Sequence, residues 1–315
     1  MANTNYNMYQ AALALFTAAP QATVTPAQLV ATIVAVLWQP ILLVLVIPAV
    51  INEVVAAVVK VRGVRKGVAG PRPSSRAQFR RWREMLIEAI PLSIGFALVT
   101  LLSKVDVLLL GKLDTFDSVG LYTIGYKFAD LLQIVAITVV TPVTTLLVSY
   151  WPDSVAVFRE RSRETFIVLT VLGSASIAAF WPAATGVLTF LYGERFAIAG
   201  TSTRLLVLGA CFSMLTQLGL MILVASGRHR IYPWIALGGL LFNIVVNIVL
   251  IPRMSFNGAA VATVSTELLL FVAIWVVVRQ SLPVHRMFPM LPLGAAVALC
   301  AVVTVAGTIC VERLG

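Results

Sequence analysis

Eight apolar runs, each long enough to cross a bilayer as a helix, follow one another with only short polar connections between them. They cover residues 28–59, 86–111, 119–149, 165–191, 203–226, 230–252, 257–278 and 289–311. Crossing about 30 Å of hydrocarbon takes roughly 20 helical residues. Lipid offers no hydrogen-bond partner, so each run must satisfy its own backbone, and a helix does so. Composition points the same way. The chain is 60% hydrophobic and 11% charged, with a mean hydropathy of +0.97, whereas a soluble domain carries about 25% charged residues. There is too little polar surface to cover a water-soluble globule, which excludes a cytosolic enzyme, a secreted disulfide module and a disordered linker. The predicted fold class is all-α, a polytopic membrane bundle of 8–9 transmembrane helices, the ninth being the short apolar stretch 8–19 that Pro20 ends. Pro40, Pro48, Pro142 and Pro182 lie inside runs and are the predicted kink sites.

The basic residues set a direction. Residues 60–85 hold Lys60, Arg62, Arg65, Lys66, Arg72, Arg76, Arg80, Arg81 and Arg83. Connections on the same side add Arg159, Arg161, Arg163, Arg228, Arg230, Arg279 and Arg286, and the other side has Lys112, Arg195, Arg204, Arg253 and Arg313. The positive-inside rule then places the 60–85 segment in the cytoplasm. The net charge of +10 therefore reads as loop asymmetry and attraction to anionic lipid, not as nucleic-acid binding. Four divisions are expected: residues 1–59 as the remnant of a first helical lobe, 60–85 as a basic linker, 86–278 as a six-helix second lobe, and 279–315 as a further helix and tail. Both ends look cut, since one more helix at each would restore an ordinary topology.

The chemistry the chain lacks is equally specific. It contains no GxxxxGK[ST], no GxSxG and no HExxH, so phosphate-loop ATPase, serine hydrolase and zinc protease readings fail. Cys211, Cys300 and Cys310 sit inside apolar runs without CxxC spacing, and His229 and His285 lie in basic connections. Buried thiols behave as small hydrophobes. No metal, cofactor or enzymatic activity is expected.

Ionisable groups inside apolar runs cost about 2.5–3.5 kcal/mol each on insertion scales, so each one needs a reason. Lys104 and Asp106 lie near the expected outer end of run 86–111; Lys127, Asp130 and Gln133 repeat every three residues in run 119–149. Asp106 and Lys127 fall at similar depths, roughly 8 and 12 Å in. Two readings follow: an Asp106–Lys127 ion pair stapling the hairpin, or a charged wall of a wet cavity. Lys104 has a third option, snorkelling outward. Glu267 sits mid-run with no basic residue within a turn, either as a carboxyl bonded to Thr263 or as a coupling acid facing substrate. Gly239, Asn243 and Asn247 share a face and read as helix-packing residues.

These residues fall in patterns that resemble polysaccharide-type flippases, which move O-antigen or exopolysaccharide repeat units and belong to the multidrug/oligosaccharidyl-lipid/polysaccharide exporter superfamily. The stretch 91–128 carries Pro91, Lys104, Asp106, Leu109, Leu110, Gly111, Val119, Gly120, Tyr122, Tyr126 and Lys127. LYGERF at 191–196 is similar to an outer loop of that family. The block 226–271 carries Gly227, Arg228, Asn243, Asn247, Ile251, Pro252, Gly258, Ala259, Ala260, Ala262 and Thr263, with Ser255 near a position where the family often has Gly. The resemblance implies a C-terminal lobe of a two-lobed exporter fold. It implies translocation of an undecaprenyl-pyrophosphate-linked oligosaccharide across a bacterial inner membrane by alternating access. Lys104, Asp106, Lys127, Asp130, Gln133 and Arg228 are then the candidate substrate or cavity residues, with Lys104, Lys127 and, at the cytoplasmic mouth, Arg228 meeting the pyrophosphate, and Glu267 is the coupling candidate. Expected partners are the lipid-linked sugar, membrane lipids, and polysaccharide-assembly enzymes or a second lobe or copy. Alternatives are a drug/cation antiporter of the same superfamily, a peptidoglycan-precursor flippase, and a non-transporting scaffold subunit.

Overall fold

A computed structural model of the chain describes residues 75–281, with side chains placed essentially from residue 90 onward. The predicted stub 8–19, the runs 28–59 and 289–311, Pro40, Pro48, Cys300, Cys310 and His285 lie outside the described residues. Within them the chain forms five long helices: α1 (Ser75–Leu113), α2 (Phe116–Tyr150), α3 (Val155–Tyr192), α4 (Gly200–Ala225) and α5 (Tyr232–Ser281). Each is long and apolar enough to cross a membrane, and the described residues are a multi-pass membrane bundle. Helix α1 begins inside the stretch predicted as linker, so residues 75–85 are helical. They follow Pro71 and Pro73, and their arginines and Gln are good helix formers.

The longest helix is two. Its 50 residues would reach about 75 Å, more than twice the hydrocarbon thickness. It breaks at Ser255, where φ is 54° and ψ is −138°, and its two arms, 232–254 and 256–281, lie side by side. Gly239 on the first arm packs directly under Leu270 on the second, where a Cβ would fall 2.6 Å from the Leu270 side chain. At the elbow a Cβ on Gly258 would meet the Leu250 carbonyl oxygen at 2.5 Å, so backbone approaches backbone and only glycine fits. The predicted runs 230–252 and 257–278 fall on these two arms.

Helix ends follow ordinary chemistry. Thr115 caps α2 by accepting from the Ser118 amide at 3.3 Å, and Asp117 stands in the first turn, where the helix dipole favours a carboxylate. Helix α4 closes with the Arg228 amide donating to the Leu223 carbonyl at 2.8 Å and the Gly227 amide to Val224 at 3.0 Å. Gly227 takes φ +72° to allow this paired closure. A 3-10 turn, Glu194–Ala199, joins α3 to α4.

Helix α4 is the interior helix. Leu206, Met214, Leu218, Ile222 and Leu223 on it are almost wholly buried, whereas α1, α2, α3 and α5 each keep large apolar side chains exposed. One core cluster joins Leu110 of α1, Tyr122 and Ala129 of α2, Leu206 and Ala210 of α4, and Ile251, Phe256, Ala259 and Ala260 of α5. Pro91, Pro142, Pro182 and Pro252 stand inside α1, α2, α3 and α5, which packed membrane helices tolerate because neighbours bond the freed carbonyls. Near Pro182, the Arg204 Nε of α4 donates to the Trp181 carbonyl at 2.8 Å.

Candidate functional site

Asp106 is the centre of the bundle's polar interior. It is 2% exposed, and three helical segments converge on it. Tyr122 of α2 donates its hydroxyl to Asp106 Oδ2 at 3.0 Å, and Thr263 of the second α5 arm donates to the same oxygen at 2.8 Å. Asn247 of the first arm donates Nδ2 to Oδ1 at 2.7 Å, and Asn243 adds a further side-chain hydrogen bond. Tyr122 and Asn247 are themselves fully buried, and Asn243 nearly so. The elbow explains the convergence. Asn247 stands eight residues before Ser255 and Thr263 eight after it, so folding α5 back brings both to one depth.

The expected Asp106–Lys127 ion pair does not form, and Asp106 is enclosed, not part of an exposed wall. Similar depth is not sufficient for contact. Lys127 follows Tyr122 by five residues, a rotation of about 140° around the helix, so when Tyr122 turns inward Lys127 turns out. Lys127, Asp130 and Lys104 are exposed, and Gln133 is half-buried. Asp130 lies within electrostatic reach of Lys127 and of Lys104, across the α1–α2 pair. On α2, Thr123, Lys127, Asp130 and Thr138 are all exposed and share one helical face. The hydroxyls bond their own helix, Thr123 to the Val119 carbonyl at 2.7 Å and Thr138 to that of Ile134 at 2.8 Å, and Leu131 and Ile134 are exposed beside them; the two cations and the carboxylate are what is unsuited to hydrocarbon.

Glu267 is half-buried on the second α5 arm. Its side chain bonds Ser213 of α4, not Thr263, because the Thr263 hydroxyl is engaged by Asp106 and by the Ala259 carbonyl at 3.0 Å. Tyr126, Tyr232 and Asp106 lie within its electrostatic reach. Gly239 packs on Leu270 as already described, whereas Asn243 and Asn247 do more than pack, since both bond the buried carboxylate. Arg228 is exposed at the opposite end of the bundle from Ser255, in the α4–α5 connection.

A second polar cluster sits at the α5 elbow. The Ser255 hydroxyl bonds the Asp114 carboxylate and lies 3.1 Å from Ser118 Oγ, which is 3.0 Å from Thr115 Oγ1. Donation by Ser255 holds the Asp114 carboxyl below its ordinary value of 3.8, against a smaller opposing effect of burial. Beside it, Arg195 pairs with Asp117 at 2.8 Å, both well exposed. Sequence reasoning left Tyr122, Thr263, Ser255 and Asp114 out of the site. For Tyr122 and Thr263 the signal was the carboxylate at Asp106, whose burial calls for hydroxyl and amide donors; nothing in the sequence marked the Asp114–Ser255 contact.

Comparison with known proteins adds three findings. Residues 5–145 match the family described as polysaccharide biosynthesis protein. Over 100 residues the chain is 33% identical to an uncharacterized membrane protein, MJ1068, of Methanocaldococcus jannaschii; the match covers 32% of this chain and 19% of that protein. The chain thus spans about a fifth of the length of this relative. No solved structure matches. The described chain is a multi-pass membrane protein similar to polysaccharide biosynthesis proteins, and the matched segment contains Lys104, Asp106, Tyr122, Lys127, Asp130 and Gln133.

Proposed function

We infer that the chain is part of a membrane transporter, not an enzyme, and that it moves a lipid-linked oligosaccharide of the undecaprenyl-pyrophosphate type across a bacterial inner membrane during cell-surface polysaccharide synthesis. The observation that carries this reading is the exposed charged strip of Lys104, Lys127 and Asp130 on membrane spans that are otherwise largely apolar. Such a strip calls for water or a polar partner, and its two cations suit a pyrophosphate better than a neutral or cationic solute. Lipid-linked substrates need that combination: a wet track for the charged head group beside hydrocarbon for the tail. The likeness to polysaccharide biosynthesis proteins supports the substrate class. Arg228 takes the role of a cation at the far mouth, and the 60–85 segment that of a cytoplasmic linker.

Replacing Lys104 and Lys127 together with Ala in the source cell tests the reading. Surface polysaccharide should fall sharply while the membrane level of the protein holds, because exposed lysines contribute little to folding. Unchanged export with both lysines gone would contradict it.

A further inference from the structure

Asp106 Oδ2, Tyr122 Oη and Thr263 Oγ1 form a closed triangle of oxygens. Its sides are 3.0 Å from Asp106 to Tyr122, 2.9 Å from Tyr122 to Thr263, and 2.8 Å from Thr263 to Asp106. A fourth short contact runs from Thr263 Oγ1 to the Ala259 carbonyl at 3.0 Å. Each contact needs a hydrogen between its oxygens to be attractive. The two hydroxyls bring one hydrogen each, so with Asp106 ionised two of the four contacts have none. A third hydrogen on Oδ2 fills three of the four. Asp106 then donates to Tyr122, Tyr122 to Thr263, and Thr263 turns to the Ala259 carbonyl.

We propose that Asp106, Tyr122 and Thr263 form a proton-binding site that alternates between these two bonding patterns. In the charged pattern both hydroxyls point to Oδ2. A proton delivered as hydronium from the aqueous phase, which leaves as water, converts the carboxylate to a carboxylic acid, and both hydroxyl hydrogens rotate away from Oδ2, breaking only the two hydrogen bonds they made to it. The groups facing the site fit that exchange. From α2 come Tyr122 and Tyr126, from the first α5 arm Asn243 and Asn247, and from the second Thr263 and Glu267. None is a cation, so among the described residues nothing neutralises Asp106 permanently. The proton's use in driving transport rests on the transporter reading; the existence of the site does not.

The α5 elbow gives the switch a mechanical consequence. Asn247 and Thr263 hold Asp106 from opposite arms, so the exchange leaves the first arm bonded to Asp106 of α1 while the second trades its bond to Asp106 for one from Tyr122 of α2.

Infrared difference spectra of the purified full chain in lipid nanodiscs, acidic minus alkaline, test the proposal without substrate. A carboxylic-acid carbonyl band should appear on acidification, vanish in Asp106→Asn and persist in Glu267→Gln. Thr263→Val, a milder change, should displace both the band and its titration midpoint. That variant keeps the test decisive if Asp106→Asn fails to fold. A band lost only in Glu267→Gln would overturn the proposal, as would a band that Thr263→Val leaves unmoved. So would a spectrum that responds to sodium and not to pH. Failure of transport with the band intact would sink the transporter reading alone.

Discussion

At the residue scale, Asp106 shows how a membrane interior tolerates a carboxylate without a cation. Four side chains supply hydrogen bonds, and all of them come from neighbouring helical segments. Removing one donor leaves the acceptor buried and under-satisfied, which costs about 1–3 kcal/mol. Tyr122→Phe keeps the ring in its fully buried slot and deletes only the hydroxyl. Unfolding in mixed detergent–denaturant solution should show a loss of about 1–2 kcal/mol, and Asn247→Ala a larger one, since it also removes the Asn243 contacts. Lys127→Ala, on the exposed face, should stay within about 0.5 kcal/mol of the parent. That contrast separates the enclosed residues from the exposed strip, and a Lys127 effect as large as that of Tyr122 would restore the ion-pair staple.

At the element scale, the α5 elbow holds a serine in a conformation that costs a side chain about 1–3 kcal/mol. Ser255 is compensated by its bonds to Asp114 and Ser118, so two substitutions should differ in order. Ser255→Gly loses the hydroxyl but relaxes the backbone, whereas Ser255→Ala loses the hydroxyl and keeps the strain. The glycine variant should therefore melt higher than the alanine variant. Asp114 adds a pH signature. Its folded-state carboxyl lies below the ordinary value of 3.8, so its stabilisation is present above that pH and lost as the pH falls through the folded value. Ser255→Ala should flatten the stability–pH curve in that acidic window. An unchanged slope there would show that the elbow bond contributes nothing.

The same elbow marks where sequence reasoning reaches and where it stops. Apolar runs located all five helices to within a few residues, apart from the starts of α1 and α3, where a basic, polar first part precedes the apolar run, and the break after Pro252 was visible as a change from run to loop. That Asp106 carries an unusual burden was legible from its cost in lipid. Its partners were not. Thr263 and Asn247 are more than 140 residues away in the chain, and depth along a helix says nothing about the angle around it. Lys127 matched Asp106 in depth and missed it by about 140° of rotation.

At the scale of the whole molecule, an enclosed acidic core and an exposed cationic strip lie on the same helices, α1 and α2, back to back. Moving a charged head group past hydrocarbon requires the strip to meet it. The direct measurement is transfer of a fluorescent undecaprenyl-pyrophosphate-linked sugar across liposomes carrying the full chain, read by quenching of the outer leaflet. Transfer is expected from the parent protein and is expected to be lost when Lys104 and Lys127 are both alanine, with the folded fraction unchanged. Transfer that is absent in the folded parent, or equally fast without either lysine, would contradict this role of the strip.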